Sequence, residues 1–331
     1  MFIAAPLRPR GALGPSVVAG RRGIVCETRG REVCLDPPGR VGARLAFVSH
    51  AHADHLPASG TSAVSSEETR ALAGARDVAI HGADGGGLEM VDAGHILGSR
   101  GLLFDDIFYT GDICTRARAF MRGARVPRCR TLITETTFGL PSFSFPPPSE
   151  VARRVNGIIS SAFERGRPVI LVGHQLGKAQ LLTHMFGHWA PLYAHDSIRA
   201  INGVYAEMGV RMPETVGHTE AESRGLLARG PWVMVAPMGA GALISGLRRR
   251  HRAMTVAFSG WAGSGHAAER RGADYVVPLS DHCDFGELVG MVVASGAETV
   301  YTTHGYADEF GAHLRTMGID ARPVPRARLK G

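Results

Sequence analysis

The stretch FVSHAHADHLP, Phe47 to Pro57, constrains this chain more than any other. It sets His50, His52, Asp54 and His55 within six residues, directly after a short apolar run. Enclosing so many ionisable side chains costs several kcal/mol for each uncompensated charge, so a fold that buries them needs a cation among them. In an extended segment side chains two apart share a face, which lets His50 and His52 approach one ion from the same side. A turn after them aims Asp54 and His55 at a second position nearby. Such a density of ligands suits two zinc ions about 3.5–4 Å apart, each of which needs further ligands from elsewhere in the chain.

Three other segments offer them. DAGHILGS supplies His95 between glycines that let the backbone approach closely, YTGDI supplies Asp112 after a strand, and TTHG supplies His304 after another. A single carboxylate at Asp112 can bridge both ions, leaving each with three or four protein ligands. A lone histidine after a strand is more often a turn or core residue, and it is the HxHxDH cluster that draws these three to it. The five cysteines, Cys26, Cys34, Cys114, Cys129 and Cys283, form no CxxC pair. Metal binding therefore rests on His and Asp, and the odd count suits reduced thiols.

No stretch approaches the roughly 18 uninterrupted apolar residues of a membrane span. The start, MFIAAPLRPRGALG, lacks the basic-then-apolar order of a signal peptide, so the expected location is cytoplasmic and no membrane partner is expected. A formal net charge of +7 favours a polyanionic partner such as nucleic acid. Almost all of that positive charge is arginine, a bias that genome composition alone can produce.

The first third reads as short strands between glycine- and proline-rich turns. GIVCETRGREVCLDPP predicts a hairpin turning at Arg29-Gly30, RLAFVSH a buried strand, and SSEETRALAGA a capped helix. After the cluster LPSFSFPPPSE the pattern changes to longer helices between buried strands, including a helix over LGKAQLLTHMFGHW. The tail from DYVVPLSDH returns to the earlier style. These shifts predict an α/β chain whose residues 146–272 are inserted between 1–145 and 273–331.

The residues in this order resemble a known family. Asp36 in CLDPP, the HAHADH cluster, His95 and Asp112 are similar to the first four motifs of the metallo-β-lactamase superfamily. Glu135 in ITETTFG, His282 in LSDHCDF and His304 in TTHG resemble motifs A, B and C of its β-CASP nuclease branch. GHQLGKAQLL is similar to the β-CASP segment ALGxAQE, with Leu181 where many members carry Glu. The similarity runs over about residues 20 to 325 and is strongest to the short members, which are exonucleases or RNA 3′-end-processing factors and, in bacteria, associate with DNA ligases.

This resemblance implies an αββα metallo-β-lactamase sandwich built from the two ends of the chain, with a β-CASP α/β domain inserted as a lid. It implies that His50, His52 and His95 bind one Zn2+, that Asp54, His55 and His304 bind the other, and that Asp112 bridges, with Asp36 orienting ligands from behind. It also implies hydrolysis of phosphodiester bonds in single-stranded nucleic acid by water activated between the metals, with His282, oriented by Glu135, protonating the leaving oxygen. His304 at motif C favours RNA processing or decay over DNA; a DNA exonuclease tied to repair and ligation is the alternative. A homodimer and other nucleic-acid-processing proteins are the further partners expected. A small-ester or thioester hydrolase and a degenerate binding scaffold are the competing classes.

Weaker signals lie outside these motifs. Lys178 at a helix start, and Arg248 and Arg249 in LRRRHR, are candidates for phosphate contact. GSGHAA, Gly263 to Ala268, spells a dinucleotide fingerprint but lacks the βαβ context and acidic residue, so it reads as a tight turn. His184 and His188 have the spacing of a helical metal pair with no acidic partner, and read as one face of an amphipathic helix.

Overall fold

The computed structural model describes residues 15–42, 44–262 and 272–326. The expected turn at Gly263–Ala268 lies outside them. The chain begins with β1 (Ser16–Gly20), β2 (Gly23–Thr28), β3 (Arg31–Leu35) and β4 (Leu45–Phe47), which form one sheet in that order. β2 and β3 make the expected hairpin, and its turn residues Arg29 and Gly30 both take positive φ, 46° and 77°, as a tight two-residue connection requires. Next come β5 (Thr61–Ala63), α1 (Glu67–Gly74) and β6 (Ile80–Gly82). The expected cap is in place: Ser66 accepts a hydrogen bond from Thr69 N, and Glu67 and Glu68 sit in the first turn, where the helix dipole favours negative charge.

A second sheet starts with β7 (Glu89–Asp92), β8 (Arg100–Phe104), β9 (Ile107–Tyr109) and β10 (Thr131–Glu135). The chain then leaves it for α2 (Pro148–Glu164), β11 (Val169–Gly173), α3 (Lys178–Met185), β12 (Leu192–Ala194), α4 (Asp196–Glu207), β13 (Val216–Gly217), α5 (His218–Ser223), β14 (Val233–Pro237), α6 (Gly241–His251), β15 (Met254–Ser259) and β16 (Tyr275–Pro278). These strands form a wholly parallel sheet, ordered β13-β12-β14-β11-β15-β16. The last of them, β16, lies beyond residue 272, where the sequence style changes. Finally α7 (Phe285–Ser295), β17 (Thr299–Thr303), α8 (Ala307–Thr316) and β18 (Asp320–Pro323) return to the second sheet, whose order is β18-β17-β10-β9-β8-β7.

Alternation along the strands sets the layers, because successive side chains point to opposite faces. Val33, Leu35 and Phe47 of the first sheet pack against Ile107, Tyr109, Ile133 and Tyr301 of the second in one apolar cluster. The intervening Cys34 and Ala46 face outward onto Leu72 of α1 and Ile201 and Tyr205 of α4. Phe108, Leu132 and Val300 face the other way, onto Leu288 and Met291 of α7 and Phe310 and Leu314 of α8. The chain is thus mixed α/β, with helix, sheet, sheet and helix in layers and a separate parallel sheet covered on both faces.

One helix differs from expectation. α3 ends at Met185 instead of running to Trp189, and Gly187 just past it packs so tightly on Pro213 that a Cβ there would come within 2.3 Å of it. His188 therefore lies past the helix. It meets Asn156, while His184 packs on Phe120, so the two imidazoles do not form a metal pair.

Candidate metal centre

The topology delivers the conspicuous residues to one edge. β3 and β4 are parallel neighbours, as are β9, β10 and β17, and the chain leaves the C-terminal ends of these five strands at Asp36, at the His50–His55 loop, at Asp112, at Glu135 and at His304. His95 arrives on the connection from β7 to β8. Its neighbour Gly94 has φ 65°, and a Cβ there would lie 2.3 Å from the Cys114 carbonyl oxygen, so only glycine lets this loop close onto the segment after Asp112.

Hydrogen bonding fixes which ring nitrogens carry protons. A carbonyl oxygen only accepts, so His95 Nδ1 donates to Asp281 O (2.8 Å) and His52 Nε2 donates to Leu176 O (3.2 Å). The Ser49 hydroxyl gives its one proton to Asp36 Oδ2 (2.6 Å) and so accepts from His50 Nδ1 (2.9 Å). The other nitrogens are bare lone pairs, and they meet: His52 Nδ1 stands 3.1 Å from His50 Nε2 and 3.0 Å from His95 Nε2. Burial holds all three imidazoles neutral, with His52 brought down to about 4 and His50 and His95 well below the usual histidine value. Asp112 Oδ2 adds a carboxylate oxygen 3.5 Å from His50 Nε2 and 3.6 Å from His95 Nε2. Burial raises the Asp112 pKa against the pull of His55 and His282, and a cation at the centre of these three lone pairs and this carboxyl oxygen would hold Asp112 ionised and turn mutual repulsion into ligation. His50, His52, His95 and Asp112 could together hold a metal ion.

A second, looser group adjoins the first through the same carboxylate. Asp112 Oδ1 lies 3.4 Å from His55 Nε2, which is 3.7 Å from Asp54 Oδ2, and the His304 ring stands 5.5 Å from that of His55. Asp54 is 79% exposed while His55 is buried, so this side opens to solvent. Burial would lower the His55 pKa, but Asp112 and Asp36 overcome it and raise it to about 10. Asp36 lies behind, its Oδ2 accepting from His55 Nδ1 (2.8 Å) and Tyr109 Oη (2.7 Å), so that His55 Nε2 faces Asp112.

His282 borders both groups. Its Nδ1 donates to Glu135 Oε1 (2.8 Å) and its Nε2 lies 4.0 Å from Asp112 Oδ2. Burial opposes charge on each member of this pair, yet each holds the other ionised: Glu135 is lowered to about 2 and His282 raised to about 10. Glu135 also accepts from the backbone N–H of Ile113 and Thr137, which locks its carboxylate.

A cleft of about 440 Å³ exposes these groups. His52, Asp54, His55, Asp112, His282 and His304 line one side. His174, Gln175, Leu176 and Lys178 after β11, and Ser259 to Trp261 at the end of β15, also line the cleft, at the C-terminal ends of parallel strands, where α/β sheets commonly bind ligands. Lys178 borders the cleft, but it is 3% exposed and its ammonium meets Asp281 Oδ1 at 3.1 Å, so that charge is not offered to the cleft. Arg248 and Arg249 lie around a different cavity of about 480 Å³ with Met238 and Phe258, and Arg248 pairs with Asp274. Ser49, Tyr109 and Asp281 support the cluster without belonging to any spacing pattern. The available clues were Ser49 directly before His50 and Asp281 directly before His282.

Fold and site define a mixed α/β protein with a largely buried His–Asp cluster suited to a metal ion. No family model matches the chain. It is similar to a "Probable DNA ligase" from Opitutus terrae, 31% identical over 296 residues, which cover 84% of this chain and 28% of that relative. The chain thus corresponds to less than a third of that protein's length. A solved structure, of a protein of unknown function from Enterococcus faecalis V583, shares the fold with a TM-score of 0.61 at 12% identity, covering 89% of this chain and 94% of that one. Among the described residues no helix is long and apolar enough to cross a membrane.

Proposed function

We propose that the chain is a two-zinc nuclease that hydrolyses phosphodiester bonds of single-stranded nucleic acid, a β-CASP member of the metallo-β-lactamase superfamily. In this reading the parallel-sheet segment is the insertion, and the two sheets that precede it and resume after it form the sandwich. The observation that carries the proposal is the convergence of the His50, His52 and His95 lone pairs on Asp112 at the floor of an open cleft. Four donors around a tetrahedral zinc, at about 2.0–2.1 Å from it, stand roughly 3.3 Å apart. The spacings of 3.0, 3.1, 3.5 and 3.6 Å bracket that value. His55, Asp54 and His304, with Asp112 shared, would hold the second ion.

Bound there, such ions supply Lewis acidity and lower the pKa of water. The chain's own residues do the rest. Asp36 holds the His55 proton on Nδ1, and Asp281 and Leu176 hold those of His95 and His52 away from the centre. Glu135 keeps His282 charged, so that its Nε2 can give a proton to a departing sugar oxygen at the Asp112 side of the cleft. Asp54, exposed in the cleft, is the ligand best placed to meet the incoming substrate. In this reading the cleft takes the nucleic-acid strand, with half-buried Trp261 in its wall.

The similarity to a probable DNA ligase supports DNA over the RNA that His304 favours, and a role beside DNA joining. Most of that relative lies outside the matched segment, so its ligase activity need not reside in the shared part. Incubation with single-stranded DNA and RNA labelled at either end, with and without chelator, tests the proposal. Metal-dependent cleavage that Asp54→Ala abolishes is expected, and equal cleavage by that variant would refute the assignment. Hydrolysis of a thioester with neither nucleic acid cleaved would favour the small-ester reading.

A further inference from the structure

Three consecutive residues where β11 leads into α3 touch the metal-centre machinery. The Leu176 carbonyl accepts the proton of His52 Nε2 at 3.2 Å. Gly177, at φ 86°, lies so close to Ile96, the residue after His95, that a Cβ would come within 2.4 Å of it. Lys178 Nζ reaches Asp281 Oδ1 at 3.1 Å, and the carbonyl of that same Asp281 accepts the proton of His95 Nδ1 at 2.8 Å. The proton positions of two of the three converging imidazoles are therefore set by this turn, directly for His52 and through Asp281 for His95.

The turn is well anchored. Leu176 packs in the apolar cluster that holds Ile96, Ile201 and Tyr205. Gly177 N donates to Gln180 Oε1 (2.8 Å), and Gln180 Nε2 donates to Asn202 Oδ1 (3.1 Å). Lys178 and Asp281 are 3% and 6% exposed, so each charge is satisfied by the other rather than by water. Removing one partner would leave the second buried and uncompensated.

We propose that Lys178 is a positioning residue for the metal centre: its ion pair with Asp281 seats the carbonyl that holds the His95 lone pair toward the metal, so metal affinity depends on it. The inference rests on His50, His52, His95 and Asp112 being metal ligands, and is independent of the reaction they serve. Partners that fix the other ring nitrogen of a liganding histidine typically contribute 10–100-fold to metal affinity. Lys178 thereby gains a role other than phosphate contact.

The test measures zinc affinity of the whole protein by competition with a chromophoric chelator, and the visible spectrum of the cobalt-loaded protein. The variants are Lys178→Met, Lys178→Arg and the charge-free pair Lys178→Met/Asp281→Asn. Lys178→Met and the double variant should each lose about 10–100-fold in affinity and shift the cobalt bands, and Lys178→Arg should recover most of the loss. If Lys178→Met fails to fold, the double variant still decides, because it leaves no unpaired carboxylate. Wild-type affinity and an unchanged cobalt spectrum in the double variant overturn the proposal. Wild-type protein that takes up neither zinc nor cobalt overturns the metal reading beneath it, a result distinct from an unaffected variant.

Discussion

Asp36→Asn isolates the support behind the cluster with the least change of shape. Asp36 Oδ1 accepts from Ser49 N (2.6 Å), and Oδ2 accepts from Ser49 Oγ (2.6 Å), Tyr109 Oη (2.7 Å) and His55 Nδ1 (2.8 Å). An amide with its oxygen at the Oδ2 position aims its NH2 at the Ser49 N–H, and the flipped amide aims it at three donors. The better orientation leaves at least one buried donor unpaired, a loss of about 1–3 kcal/mol in stability, and it removes the anion that faces His55. Urea unfolding should show a lower midpoint at unchanged slope. Zinc affinity should fall about 10–100-fold as His55 loses its fixed proton.

The pH dependence has a definite sign. Burial opposes charge on Asp36, but His55 and the bonds from His55 and Ser49 prevail and lower its pKa in the folded protein. Its contribution is therefore complete above the unfolded value of about 3.9 and disappears as pH falls through the folded pKa. The variant should lose stability less steeply than the wild type below about pH 4. A variant within about 0.5 kcal/mol of wild type, with unaltered zinc affinity and acid limb, would refute the reasoning.

Other perturbations separate the remaining roles. Glu135→Gln removes the anion that keeps His282 charged, and should lower the cleavage rate about 10²–10⁴-fold while metal analysis finds the zinc content unchanged; loss of metal instead would make the pair ligands. Stripping with a chelator should abolish cleavage and, relative to protein at about 100 times the dissociation constant of zinc, lower the unfolding free energy by about 2.7 kcal/mol, read by urea titration. Gly94→Ala forces a left-handed backbone at a cost of about 1–3 kcal/mol, apart from its clash with the Cys114 carbonyl and the Ala124 N–H. Differential scanning calorimetry should show the lower stability, and the displaced His95 should weaken zinc binding.

What the sequence displayed was local. The hairpin at Arg29-Gly30 and the Ser66 cap depend on turn and helix-end chemistry that acts over a few residues. The His50–His55 cluster was legible because its spacing has few uses other than metal binding. Lys178 could not be placed from sequence, since a lysine at a helix start has the same appearance whether it faces phosphate or, as here, a buried aspartate far along the chain. The role of Asp281 gives no sequence signal for the matching reason: its main-chain oxygen, which orients His95, leaves no trace in a residue letter. β16 escaped the style-based boundary because four residues are too few to show which sheet they join; their pairing with β15 decides it.

The parallel pairing of Thr131 with Thr299 joins β10 to a strand made after the whole parallel sheet has been synthesised. His304 follows that late strand, and Asp281 and His282 precede it only narrowly. Without them the histidine knot would lack both the Asp281 carbonyl that holds the His95 proton and the imidazole paired with Glu135. Such high contact order favours slow assembly, because the site cannot close until both partners of this pairing are in place.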